Sequence, residues 1–300
     1  MAKLPDRCGF IALLGAPNAG KSTLLNALTG SKIAAVSPRP GTTRSRVIGV
    51  CTEGRSQVVF IDLPGIFAPK GKLQKVMVET AWEESRGADV VFVLVDASHT
   101  IRPETGEILD WLRKYKLPAV LVLNKIDMVK KDKLLPLTKK LTGDNLFSDV
   151  LMISATTGDG LDKVLDVAAK SVPEGVWQYP EDHLTDLPER LWAAEITREQ
   201  VFIQLEQELP YAAAVETELL EERSKKLVVI SQVIYVERDG QKAIVLGKGG
   251  SRIKAIGTAA RQELEKELGR KIHLTLHVKV KPDWAEDTVF LREQGLLGSK

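Results

Sequence analysis

The chain has 300 residues, of which 44% are apolar and 27% charged, and its net charge is +2. Those proportions are those of a globular protein with core material for one large domain or two ordinary ones. Cys8 and Cys51 stand apart with no C-x-x-C spacing, which argues against a thiolate metal site or a redox pair. The longest purely apolar stretch, residues 90–95, is far too short to span a bilayer. Residues 1–7 lack the apolar segment of a signal peptide, so a reducing cytoplasm is the expected compartment.

In chain order, the apolar run 10–14 predicts a strand and residues 24–28 predict a helix. Between them lies Gly15-Ala16-Pro17-Asn18-Ala19-Gly20-Lys21-Ser22-Thr23. Strand, glycine loop, Lys-Ser and helix form the phosphate-binding P-loop pattern. Its glycines let successive N–H groups turn inward as a nest for phosphate oxygens, and the helix N-terminus adds positive potential. Lys21 is placed to reach the β- and γ-phosphates, and Ser22 to ligate Mg²⁺.

Residues 31–45 form a long loop containing Pro38, Pro40 and Gly41 and ending in Thr42-Thr43-Arg44. A threonine there can complete a Mg²⁺ shell when a γ-phosphate is bound. A hairpin at 52–55 joins strands 47–50 and 58–61, and the second strand delivers Asp62-Leu63-Pro64-Gly65. Asp62 fits a ligand acting through a metal-bound water, and the Gly65 N–H can approach a γ-phosphate unobstructed. Strand 90–95 has the continuous apolar character of a central parallel strand; Asp96 at its end reads as a capping or turn residue.

A helix at 104–116 leads to strand 119–123 and then Asn124-Lys125-Ile126-Asp127. The Asp127 carboxylate can accept from guanine N1–H and the exocyclic amine. Adenine would leave that carboxylate unpaired, so the pattern points to guanine. Asn124 is expected to tie this strand to the P-loop and touch the base edge, with the Lys125 stem against the base face. Lysines 130, 131, 133, 139 and 140 read as a solvated face with a weak electrostatic claim on RNA. Strand 150–153 ends in Ser154-Ala155-Thr156, whose backbone can contact a purine O6, and helix 161–170 closes the domain. Alternating strands and helices with polar motifs at strand carboxyl ends predict a doubly wound, mostly parallel α/β sheet. Read together, these five stretches resemble the signature motifs of translation-associated GTPases across about the first 170 residues.

Beyond a Pro-, Asp- and Glu-containing segment at 173–188, read as a linker with Trp177 and Tyr179 packing between domains, charge segregates. Residues 181–222 carry twelve acids against Arg190 and Arg198, a net of −10; residues 240–281 carry ten bases against three acids, a net of +7. Within the basic part, Gly247-Lys248-Gly249-Gly250 leads into a helix with Arg252 and Lys254 outward. Glycines admit a nucleic-acid backbone closely, the helix start favours phosphate and the bases add counterion release. Together with the predicted α-β-β-α-α-β order, this resembles a type II KH domain, which clamps about four single-stranded nucleotides.

A GTPase domain followed by such a KH domain is similar to the bacterial Era family nearly end to end, helped by Cys8-Gly9-Phe10, Tyr179-Pro180-Glu181-Asp182 and Trp284-Ala285. The implied domains are a GTPase domain at 1–173, a linker at 174–189, a smaller α+β KH domain at 190–285 and a tail at 286–300. The resemblance implies GTP hydrolysis with Mg²⁺, binding to the 3′ end of small-subunit ribosomal RNA, and assembly of the small ribosomal subunit. It also implies that the GTP state favours RNA binding. It further implies peripheral association with the inner membrane, of which the composition shows nothing; a monomer is expected. The implied catalytic set is Lys21, Thr43, Asp62 and Gly65, with Thr43 preferred over Thr42 by the family's alignment. The metal set is Ser22, Thr43 and Asp62. Gly15, Pro17–Thr23, Asn124, Lys125, Asp127, Ser154 and Ala155 complete the GTP site.

Ile66 follows Gly65 where Ras-like enzymes carry a water-orienting glutamine. Isoleucine can neither donate nor accept, so slow intrinsic turnover is expected, and Ile66→Ala is expected to leave it broadly intact. Two other readings remain open at this stage: an RNA-binding assembly factor that holds GTP as a structural ligand, and a P-loop kinase, for which no lid-like insertion is present.

Overall fold

The computed structural model describes residues 5–143 and 145–297. The reading of residues 1–4 and the last three residues of the 286–300 tail lie outside them. The chain divides into two compact units.

The first unit is a six-stranded sheet in the order β2-β3-β1-β4-β5-β6. Its strands are β1 (Arg7–Gly15), β2 (Val47–Glu53), β3 (Ser56–Asp62), β4 (Val90–Asp96), β5 (Ala119–Asn124) and β6 (Asp149–Met152). Only the edge hairpin β2–β3 is antiparallel; every other neighbouring pair is parallel. Central parallel strands must be apolar on both faces, and residues 90–95 of β4 are all buried. One face packs on α2 (Lys72–Gly87), α3 (Pro103–Tyr115) and α4 (Lys131–Leu141) through Ala81, Ile108, Leu112, Leu134 and Leu141. The other carries α1 (Lys21–Thr29) and α5 (Leu161–Ser171). Strand order reverses at β1/β4, and the loop after β1 is the glycine loop, so the motifs gather at the switch point where such sheets hold ligands. Helix α2 was not anticipated from the sequence.

The second unit has a three-stranded sheet, β7 (Ala214–Ser224) antiparallel to β8 (Leu227–Val236), which runs parallel to β9 (Lys271–Val280). Helices α6 (Glu189–Gln204), α7 (Asp239–Leu246) and α8 (Ser251–Leu268) complete an α-β-β-α-α-β order. Ile196, Val201, Val245, Ile256 and Leu264 pack with Val228, Ile230, Ile234 and Val278 to make its core. A polar chain crosses that core: Thr197 Oγ1 donates to Gln232 Oε1 at 2.6 Å, and Gln232 Nε2 donates to Thr217 Oγ1 at 3.1 Å.

Three boundaries differ from the sequence reading. Residues up to Asp186 belong to the first unit rather than forming a free linker. Gln57 accepts from the Gln178 and Tyr179 amides, Val50 N–H bonds Leu184 O, and the Trp177 indole bonds Arg55 O. Trp177 and Tyr179 therefore pack on this unit's own edge hairpin. Ala34–Thr42 and Gly71–Val76 cluster with the second unit, where the Val36 amide donates to Glu199 Oε2 at 2.8 Å. The tail is no loose end either. Residues 288–293 form α9 (Thr288–Glu293), capped by Asp287, and Trp284, Phe290 and Leu291 are buried.

Candidate nucleotide and RNA sites

β1 ends at Gly15, and the chain turns through Asn18 (φ 63°) and Gly20 (φ 94°) before α1 starts at Lys21. A Cβ on Gly20 would lie 2.2 Å from Asn124 Nδ2, so glycine is required there for space as well as conformation. Lys21 is 6% exposed, and its ammonium donates to Gly15 O and Ala16 O. Across from it, β3 delivers Asp62, which has no exposed surface. Ser22 Oγ donates to Asp62 Oδ2 at 2.6 Å and lies 2.8 Å from Thr43 Oγ1; Thr43 Oγ1 also reaches Asp62 Oδ2 at 3.3 Å. Thr42 turns elsewhere, to Ser37 Oγ and Arg39 O. The structure thus brings Thr43, rather than Thr42, to Ser22 and Asp62.

Burial pushes the Asp62 carboxyl up to about 6, against the opposing pull of Lys21, Ser22 and Thr43. Burial likewise holds the Lys21 ammonium below its ordinary value, with Asp62 opposing the shift. A pocket that penalises both signs in isolation suits a ligand that brings both, phosphates for Lys21 and a cation for Asp62. The fit to Mg²⁺ has a direct mark. Asp62 Oδ1 is buried without a hydrogen-bond partner among the described residues, beside two hydroxyls, and hard oxygen donors of this kind suit Mg²⁺.

Gly65 comes so close to the glycine loop that a Cβ would sit 2.8 Å from Pro17 N. Ile66 N–H donates to Gly15 O, and its side chain is fully buried in the sheet's core. This corrects the expectation for Ile66→Ala. Truncating a fully buried isoleucine costs about 2–5 kcal/mol through the cavity left behind, so lost activity there would report on folding. Apolar and fully buried, the side chain cannot orient a water.

At the base end, Asn124 is 2% exposed and committed to stitching. Its Nδ2 donates to Ala19 O at 2.9 Å, and its Oδ1 accepts from the amides of Lys125 and Ala155. The tie to the P-loop stands as expected, whereas the base edge is left with at most one N–H of this side chain. Because the Ala155 amide is used by Asn124, contact with a purine O6 requires that donor to be shared. Asp127 lies exposed in the short turn Ile126–Met128, and Ser154 is buried and supports the next turn through Thr157 N–H. Asp96 does cap its own turn, accepting from Ser98 N–H, but it also bonds Lys125 Nζ at 2.7 Å, which the sequence reading missed.

In the second unit, Gly247, Gly249 and Gly250 all have positive φ (71°, 60° and 77°), and Gly250 caps α8, whose first turn holds no acid. Cβ atoms on Gly249 or Gly250 would meet nothing within 4 Å, so the loop offers bare backbone to a ligand. Much of the surrounding basic charge is neutralised internally. Lys279 pairs with Glu218, Arg270 with Glu222, Arg261 with Glu265, and Lys281 with Asp287. Lys248, Arg252 and Lys254 have no such partner among the described residues, which concentrates free positive charge at the glycine loop. Alongside runs a groove of about 290 Å³ between α8 and β9, lined by Ile253, Gly257, Thr258, Leu274 and Leu276 among others. Sequence reasoning found the loop and missed the groove. Its one available signal was Gly257, a helix-interior glycine that lets Leu276 approach to within 3.2 Å of where a Cβ would sit.

Residues 10–125 match the family described as 50S ribosome-binding GTPase, and residues 208–285 match the KH domain family. GTPase Era of Rhizobium meliloti (strain 1021) is 50% identical over 293 residues, covering 98% of this chain and 94% of the relative. The chain belongs to the Era family of GTPases. GTPase Era of Sinorhizobium medicae (strain WSM419) is also 50% identical, over 98% of this chain and 95% of its own length. Among solved structures, Era in complex with MgGDPNP and nucleotides 1506–1542 of 16S ribosomal RNA superposes with a TM-score of 0.92 at 39% identity, covering 97% of this chain and 99% of that one. A point variant of Aquifex aeolicus Era bound to GDP·AlF4⁻ matches equally well, with a TM-score of 0.92 at 39% identity. Membership settles the fold as a P-loop GTPase sheet joined to a KH domain, and the P-loop kinase reading falls. Among the described residues, no helix is long and apolar enough to cross a membrane.

Proposed function

We propose that this Era-family chain is a GTP-hydrolysing switch that binds small-subunit ribosomal RNA near its 3′ end and assists assembly of the small ribosomal subunit in the cytoplasm, as a monomer. The observation that carries the reading is the Ser22–Thr43–Asp62 oxygen cluster, in which the end of a long loop meets the P-loop and the β3 carboxylate. A Thr43 held at the phosphate end makes loop position depend on whether a γ-phosphate is there.

The P-loop amides and Lys21 hold the phosphates of GTP, and Lys21 exchanges the carbonyls of Gly15 and Ala16 for phosphate oxygens. Ser22, Thr43 and Asp62 would hold Mg²⁺, which would supply positive charge to offset that of the β- and γ-phosphates. Gly65, with no side chain of its own to intervene, would offer its N–H to the γ-phosphate. Water attacks the γ-phosphorus, and GDP leaves with the bridging oxygen. Asp127 accepts from guanine, and the Lys125 stem lies against the ring. Gly247–Gly250, Arg252 and Lys254 then receive the RNA backbone, with bases along the α8–β9 groove. The 16S fragment held by the solved relative supports the small subunit as the partner, in preference to the 50S named in the family-level description.

Single-turnover GTP hydrolysis with and without an RNA covering the 3′ end of 16S ribosomal RNA tests the proposal. Hydrolysis in either condition supports the switch, whereas its complete absence in both favours a binder that holds GTP only as a ligand. Equal competition by ATP would overturn the guanine assignment.

A further inference from the structure

We infer that Asp96 is a positioning residue for the guanine site: its carboxylate holds Lys125 in the pose in which the lysine stem covers the base. The inference rests on the assignment of Asn124–Asp127 as the guanine-binding stretch.

The carboxylate divides its two oxygens between two tasks. Oδ1 accepts from the Ser98 N–H and hydroxyl, which is the turn-capping role expected from the sequence. Oδ2 reaches across to the next strand's loop and takes Lys125 Nζ at 2.7 Å. That second bond spans 29 positions of sequence and serves no purpose in the turn. Its geometry is fixed from both sides. Asp96 and Asn124 are register partners across β4–β5, and the Ala97 amide donates to Asn124 O at 2.9 Å. The carboxylate is 10% exposed and the lysine side chain 28%, so the pair is sheltered from full screening by water.

Lys125 itself has φ 64°, a left-handed backbone that is uncommon for a residue with a side chain. Its position is therefore imposed by its surroundings. A lysine stem is flexible, and an unanchored one would lose that freedom each time a base bound. Anchoring the ammonium on Asp96 in advance leaves the methylenes as a ready flat surface. Burial alone would raise the Asp96 carboxyl, but the hydrogen bonds from Lys125 and Ser98 outweigh it and keep the group below its ordinary value. The carboxylate therefore stays charged. His99 is the other titratable neighbour, with Nδ1 3.4 Å from the same Oδ2, but it is 60% exposed at its side chain and stands outside the Lys125 bond.

The test measures the Kd of a fluorescent GDP analogue for the full chain carrying Asp96→Asn, Asp96→Ala, Lys125→Ala and the double substitution. Asp96→Asn keeps an oxygen for the Ser98 amide, so the turn survives while the anchor for the ammonium is lost. Its expected effect is roughly a fivefold to twentyfold weaker Kd, with the loss falling on KM for GTP and kcat moving by less than about twofold. In the Lys125→Ala background, removing Asp96 should add nothing, since the two act as one unit. Ser98→Ala should leave affinity as it is. Unchanged affinity in Asp96→Asn overturns the inference, and so do losses that add in the double variant, which would mark a purely structural role. Asp127→Asn serves as the independent control. The amide can donate to the 2-oxo group of xanthine, so preference should move from GDP to xanthosine diphosphate. If it does not move, the base-site reading falls and the anchor with it. If it moves while Asp96→Asn binds like the parent chain, only the anchor falls.

Discussion

Asp62 has its entire side chain out of water, and burial raises its carboxyl from an ordinary 3.8 to about 6. The sign of the consequence follows from proton counting. In the unfolded chain the group loses its proton near its ordinary value, whereas in the folded, nucleotide-free protein it keeps it until about pH 6. Between those values the folded state binds more protons, so this group's contribution to stability falls as pH rises. Across that window the parent chain should lose up to roughly 3 kcal/mol relative to Asp62→Asn, whose amide does not titrate. Paired denaturation curves from about pH 3.5 to 7 check this, and parallel curves for the two proteins would count against it. Most of the residues meeting at this site were legible in the sequence. Lys21, Ser22, Thr43 and Asp62 sit at strand ends and loop ends whose motifs announce them. The direction of Ile66 was not legible. A sequence says that isoleucine cannot orient water, but only packing says that the side chain points into the core instead.

At the scale of elements, the strands and the KH order could be read because period and turn residues mark them. The groove between α8 and β9 could not, because its lining comes from a helix and a strand separated in sequence, and a single helix-interior glycine, Gly257, is all that hints at it. The segment before α6 was misread for a related reason. Proline, aspartate and glutamate signal irregular chain, but not that Gln57 would bind that chain to the β2–β3 hairpin. Two outcomes belong here. Thr197→Val would leave the fully buried Gln232 Oε1 without its donor and should cost about 1–3 kcal/mol, read as a lower denaturation midpoint with unchanged GTP affinity. Lys254→Ala should weaken binding of the 16S 3′-end RNA and lower the slope of log Kd against log salt by about 1, as expected for one lost phosphate contact. An unchanged slope would remove Lys254 from the interface.

For the whole molecule, the charge division seen in the sequence proves only partly available to a partner. Acidic residues of β7 neutralise bases on or just before β9, while Lys248, Arg252 and Lys254 stay unpaired at the glycine loop among the described residues. The two units also do not follow the chain's linear order, since Ala34–Thr42 and Gly71–Val76 are built into the second one. Thr43, the residue bonded to Ser22, follows directly on a segment that belongs elsewhere. The burial of Ile66 bears on how such a switch keeps time. Installing a water-orienting glutamine there would place an amide among Leu63, Ala81 and the strand residues of the core, at roughly 1–3 kcal/mol for the unmet hydrogen bonds. Ile66→Gln is expected to lower Tm without accelerating single-turnover hydrolysis; a roughly tenfold faster rate in a stably folded variant would refute this. The tempo is thus guarded by the same close packing that keeps the sheet together. A lineage drifting toward a water-orienting side chain at this position would give up stability without gaining speed.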